Sequence, residues 1–132
     1  MILGNQLALD LPMSAAAPAQ ARRAIAGLGL GNGARESAIL LVSELVSNAL
    51  RHSGAGGAAT IHLSATLDDR TLMMSVTDDG GGFALDPARQ PGVDGGFGLF
   101  LVDRLARAWG VATDARTTVW LELGLAAPPA SV

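Results

Sequence analysis

Glu44 and Asn48 stand four residues apart in the run Glu44-Leu45-Val46-Ser47-Asn48-Ala49-Leu50-Arg51-His52. On a helix this spacing sets a carboxylate and a carboxamide on one face, a turn apart. A carboxamide oxygen is a hard, neutral ligand suited to Mg²⁺, and a carboxylate one turn away can take a proton from an attacking hydroxyl or water. By itself such a pair is more often a solvated helix face. A second run, Val76-Thr77-Asp78-Asp79-Gly80-Gly81-Gly82-Phe83, closes an apolar strand with acids and three glycines. Asp78 can accept a hydrogen bond from an exocyclic amine, such as adenine's, while Gly80 and Gly82 let backbone approach a flat base closely. The bland alternative is a tight turn, which Asp and Gly favour anyway. A third run, Gly95-Gly96-Phe97-Gly98-Leu99, opens a helix. Its free N–H groups and positive dipole end suit phosphate. The glycine spacing is neither a Walker motif nor the dinucleotide fingerprint.

The elements that must carry these runs are legible from periodicity. Residues 34–52 form the clearest helix, with an apolar stripe of Ala38, Leu41, Val42, Leu45, Val46 and Ala49 at helical spacing. Glu44 and Asn48 are expected on the face opposite Leu45 and Ala49, and Asn32 is a candidate cap. Residues 59–67 alternate cleanly, 68–70 read as a hairpin turn, and 71–77 as the return strand, with one face covered by helices and the other solvated. Residues 6–11 suggest an edge strand, 12–18 a break, and 19–28 a short helix ended by Gly27, Gly29, Gly31 and Gly33. Beyond the glycine run, 84–95 read as a loop rich in Pro and Gly. Residues 97–109 read as a helix, and 111–112 and 117–125 as strands. The whole predicts one domain over 5–125, with a disordered tail over 126–132. Its fold class is an α/β two-layer sandwich, three helices packed on one mixed, mainly antiparallel sheet.

Composition removes several alternatives. The 132 residues include 12 acidic and 9 basic side chains, a net charge of -3, which gives no basic footprint for nucleic acid or an anionic membrane. Every basic residue is Arg, so the lysine of a P-loop is missing and side-chain contacts to phosphate fall to Arg. There is no Cys, and the two histidines are His52 and His62, so thiolate chemistry and a His-rich metal site are excluded. No apolar run approaches a membrane span, and Met1 to Asn5 lack the basic region and long apolar run of a signal peptide, which predicts a soluble, cytoplasmic chain. His62, on the polar face of its strand, is expected to be inert. Trp109 and Trp120 are expected to pack.

The order helix with Glu/Asn, hairpin, Asp-x-Gly-x-Gly, loop, Gly-x-Gly-Leu, helix, strand resembles the GHKL ATPase superfamily, which includes gyrase and the histidine kinases. Within it the chain is similar to the small anti-sigma-factor serine/threonine kinases of the RsbW/SpoIIAB-like group, in the Bergerat ATP-binding fold. Glu44, Asn48, Arg51 and His52 match the N box. Asp78, Gly80, Gly82 and Phe83 match the first glycine box; Gly96, Phe97, Gly98 and Leu99 occupy the second. The resemblance implies ATP and Mg²⁺ as cofactors, with Asn48 as metal ligand and Glu44 as general base. Asp78 would read the adenine amine, helped by Thr118 through a water. Gly80 and Gly82 would shape the base pocket, and Gly96 and Gly98 would meet phosphate. Residues 84–95 would be the ATP lid. It further implies phosphorylation of a STAS-type anti-anti-sigma protein, sequestration of a sigma factor, and a family tendency to form homodimers. Phe97 stands where many relatives carry Arg, and 114–117 lack the usual glycines. These departures leave open a second reading, a catalytically weak ATP-binding module that sequesters a partner under nucleotide control.

Overall fold

A computed structural model describes residues 5–52, 60–68, 70–78, 97–113 and 116–125. The elements in chain order are β1 (Asn5–Pro12), α1 (Ala17–Ala26), α2 (Asn32–His52), β2 (Thr60–Leu67), β3 (Thr71–Asp78), α3 (Phe97–Leu105), β4 (Ala108–Thr113) and β5 (Thr117–Gly124).

Local chemistry explains most boundaries. α1 begins earlier than expected because Pro18 lies in its first turn, where a missing N–H and a fixed φ cost nothing. It stops at Gly27, whose N–H donates to the Ala24 carbonyl at 3.2 Å. Gly29 then adopts φ 84°, a left-handed conformation that glycine takes without a Cβ penalty. α2 starts ahead of the expected Ala34: the Arg35 N–H already donates to the Gly31 carbonyl at 2.7 Å, so Gly31, not Asn32, occupies the capping position. The β2–β3 turn is held by Asp68, whose Oδ1 accepts from the N–H groups of Arg70 (2.9 Å) and Thr71 (2.8 Å). This is the turn chemistry that favours Asp there.

The third helix departs from expectation at its far end. It closes at Leu105, and Trp109 belongs to β4. The Arg107 N–H donates to the Glu122 carbonyl at 2.7 Å, which starts a strand ladder in place of another helical turn. Gly110 leaves room for Trp120 across that ladder, since a Cβ there would come within 2.8 Å of the Trp120 ring.

The five strands form one sheet in the order β1-β2-β3-β5-β4. The sheet is not mixed: every pairing among the described residues is antiparallel. β3 and β4 do run in the same direction, because each is antiparallel to β5. β5 inserts between them, so the α3 crossover never creates a parallel neighbour. Three helices on a five-stranded antiparallel sheet give the expected two-layer sandwich.

One face of the sheet is apolar along most of its length. Ile61, Leu63 and Ala65 of β2, Leu72, Met74 and Val76 of β3, and Val119, Leu121 and Leu123 of β5 are buried at alternate positions. They meet Leu41, Val42, Leu45 and Val46 of α2, Ile25 of α1 and Val102 of α3 in one core. Ala17, Ala21 and Ala38, fully buried, have the small side chains that let α1 and α2 pack closely. No described helix is long and apolar enough to cross a membrane.

Candidate functional site

Two buried polar side chains stand out against this apolar layer. Among the described residues, Asn48 (5% exposed) and Asp78 (6% exposed) are the only buried polar or charged ones. Both belong to the runs whose chemistry the sequence singled out.

Asp78 is the last residue of β3. It shares parity with Leu72, Met74 and Val76, so it faces the helix layer. Its cross-strand partners in register are Ile61 of β2 and Thr117 of β5.

Asn48 approaches from above. α2 packs on β3. Its first two turns, at Asn32 and Ser37, line a cleft of about 590 Å³ together with Leu67, Leu123 and Leu125, at the sheet end opposite Asp78. From Asn32 to Asn48 the helix rises about 24 Å at 1.5 Å per residue. From Thr71 to Asp78 the strand advances about 23 Å at 3.3 Å per residue. The helix therefore carries Asn48 to the same end of the interface as Asp78. The Asn48 carboxamide was expected opposite the apolar stripe, yet it lies in the buried arc beside Leu45 and Ala49. α1 and α3 both pack on α2, which widens the covered arc beyond the stripe facing the sheet.

Asn48 Oδ1 is buried and has no hydrogen-bond partner among the described residues. A buried acceptor left unpaired costs about 1–3 kcal/mol, so such an atom points to a ligand. A carboxamide oxygen fits Mg²⁺, which commonly takes only one or two protein ligands and completes its shell with substrate phosphates and water. Glu44, one turn earlier, is half-buried. Its side chain is thus partly open to solvent.

The remaining expected site residues other than Thr118 divide three ways. Arg51 is exposed near the end of α2. His52 closes that helix, and Phe97, Gly98 and Leu99 form the first turn of α3; the side chains at these positions lie outside the described residues. α3 packs on α2, and its free N-terminal N–H groups are those of Phe97, Gly98 and Leu99. Gly80, Gly82, Phe83, Gly96 and the expected lid over 84–95 lie outside the described residues.

Thr118 is set apart from this group. It lies on the other face of β5, where its Oγ1 shares a 2.8 Å hydrogen bond with Thr77 Oγ1. The hydroxyl residue opposite Asp78 is Thr117. The alternation of β5 carries the signal for this: Thr117 has the parity of Val119, Leu121 and Leu123, which are buried, and Thr118 has that of Trp120.

Two further contacts hold the surroundings. The Trp109 Nε1–H donates to Asp103 Oδ1 at 3.0 Å, joining α3 to β4. His62, expected to be inert, pairs through Nδ1 with Asp10 Oδ1 at 2.6 Å on the outer face of the sheet.

Comparison with known proteins gives the chain a family and a fold. The family model described as a histidine kinase-like ATPase domain matches residues 11–123. No curated protein matches the chain. Among solved structures, the chain is similar to the RsbU and RsbW domains of Rv1364c from Mycobacterium tuberculosis. The TM-score is 0.63 at 21% identity, over 93% of this chain and 33% of that one. It is also similar to the histidine kinase domain of the blue-light activated histidine kinase EL346 from Erythrobacter litoralis. Here the TM-score is 0.57 at 24% identity, over 86% of this chain and 61% of that one. The chain thus spans a third of the first protein and about three fifths of the second, and the likeness is one of fold. The family match covers both runs that supply the buried Asn48 and Asp78, and on that match the chain belongs to the histidine kinase-like ATPase domain family.

Proposed function

We propose that this domain is an ATP- and Mg²⁺-dependent serine/threonine protein kinase that acts as an anti-sigma factor, phosphorylating a STAS-type anti-anti-sigma protein and sequestering a sigma factor. The observation that carries the nucleotide half of this reading is the unpartnered Asn48 Oδ1 at the same end of the helix–sheet interface as the buried Asp78. An ATPase family, a buried amide oxygen suited to Mg²⁺ and a buried carboxylate suited to an amine support one ligand, Mg²⁺-bound ATP.

In this reading Asp78 accepts a hydrogen bond from the adenine amine, and Thr117, its register partner, supplies the neighbouring hydroxyl that the resemblance had assigned to Thr118. Gly80 and Gly82 admit the base, and the N–H groups at the start of α3 meet phosphate. Asn48 would hold Mg²⁺ through its carboxamide oxygen, and the ion would supply charge neutralisation at the phosphates. Glu44 takes the proton of the acceptor hydroxyl as the new O–P bond forms and the bond to ADP breaks. Such transfer needs positioning and charge stabilisation more than covalent chemistry from the protein. The partner half rests on resemblance to the RsbW-like group and on the RsbW domain named in one structural relative.

Transfer of labelled phosphate from ATP to a cognate STAS protein tests the reading, with Glu44→Gln as control. Wild-type transfer that the variant loses, while both bind ATP, supports the kinase. ATP binding that changes partner affinity without transfer supports the second reading, a nucleotide-gated binding module. Phe97 in place of the common Arg favours that alternative.

A further inference from the structure

On the outer face of the sheet, behind the site, four side chains stand in one cross-strand row. Asp10 opposes His62, His62 opposes Thr77, and Thr77 opposes Thr118. The row spans β1, β2, β3 and β5. Asp10 Oδ1 lies 2.6 Å from His62 Nδ1, and the hydroxyls of Thr77 and Thr118 lie 2.8 Å apart in a partly buried setting. The next row toward the strand ends, on the helix-facing side, contains Ile61, Asp78 and Thr117.

We propose that Thr77 and Thr118 are positioning residues for adenine recognition, setting Asp78 and Thr117 from behind through the strands that carry them. The inference rests on the nucleotide reading above. β3 ends at Asp78 and β5 begins at Thr117, so among the described residues their pairing is the last rung of that ladder. A rung at the end of a ladder opens more readily than an interior one. The Thr77–Thr118 bond crosses the rung immediately before it. Threonine is stiff at χ1, and a hydrogen-bonded Thr pair across antiparallel strands is a recognised source of sheet stability. Neighbouring residues on a strand point to opposite faces, so Thr118 can act on the ligand side only through backbone position. Recognition of an amine by a carboxylate is sensitive to that position, because the hydrogen bond weakens steeply as it lengthens and bends.

The test compares ATP with purine riboside triphosphate, which lacks the exocyclic amine, by calorimetric titration of wild type, Thr118→Val, Thr118→Ser and Thr77→Val. Valine keeps the shape and removes the hydroxyl; serine keeps the hydroxyl. Wild type should prefer ATP by at least about tenfold, as expected for a hydrogen bond to a charged group. Both valine variants should lose most of that preference, with affinity for the amine-free nucleotide unchanged, and Thr118→Ser should retain it. Thermal melts confirm that each variant is folded; Thr77→Val breaks the same bond from the other strand should Thr118→Val fail to fold. Valine variants that keep the full preference overturn the positioning role, as does an equal loss for both nucleotides. A wild type that binds neither nucleotide, or does not distinguish them, overturns the nucleotide reading itself and the positioning role with it.

Discussion

Asn48 and Asp78 occupy opposite walls of one helix–sheet interface, the first on α2 and the second at the end of β3, and both are buried. An apolar layer has no reason of its own to keep two polar side chains, and burying each has a cost. Removing them should therefore separate stability from binding.

Asn48→Leu should lose Mg²⁺-dependent ATP binding while the free protein becomes more stable. The gain is expected at about 1–3 kcal/mol, the cost of the unpaired buried acceptor that is removed. Calorimetry for binding and chemical denaturation for stability check the two signs. A variant that is destabilised and still binds Mg²⁺·ATP contradicts the assignment of Asn48.

Asp78→Asn should fold but bind ATP at least about tenfold more weakly, because a carboxylate accepting from an amine contributes about 1.5–3 kcal/mol. Fluorescent-nucleotide displacement measures this. Unchanged affinity removes Asp78 from the base pocket.

Asp103→Ala should cost about 1 kcal/mol of stability, the ordinary contribution of one hydrogen bond, because the Trp109 indole N–H loses the acceptor that joins α3 to β4. The tryptophan emission should change with it. Denaturant melts followed by fluorescence read both quantities in one experiment.

Gly110→Ala should destabilise by about 1–3 kcal/mol, the typical cost of overpacking, since the new Cβ would meet the Trp120 ring at 2.8 Å. Trp120→Leu in the same chain should recover part of the loss. A double-mutant cycle that shows no coupling contradicts the packing of Trp120 over β4.

Periodicity and turn chemistry in the sequence determined the elements. Four apolar residues in alternation from Ile61 to Leu67 wrote β2, Asp68 wrote its turn, and the stripe from Ala38 to Ala49 wrote α2. The same local reading picked out Asn48 and Asp78, because a lone amide at a helix end and an acid before glycines are visible without a fold. What a residue meets across the chain was decided only in three dimensions. β5 lies between β3 and β4, which makes the sheet fully antiparallel; that order depends on contacts between distant segments, which periodicity does not encode. Asn48 became buried because α1 and α3 both cover α2, beyond the arc its own stripe defined. α3 gave way to a strand before Trp109 because the Glu122 carbonyl captured the Arg107 N–H, a partner 15 residues away by sequence number. Strand pairing, finally, put Thr117 opposite Asp78 and turned Thr118 to the back of the sheet: neighbouring residues share sequence context, but the pleat sends them to opposite faces.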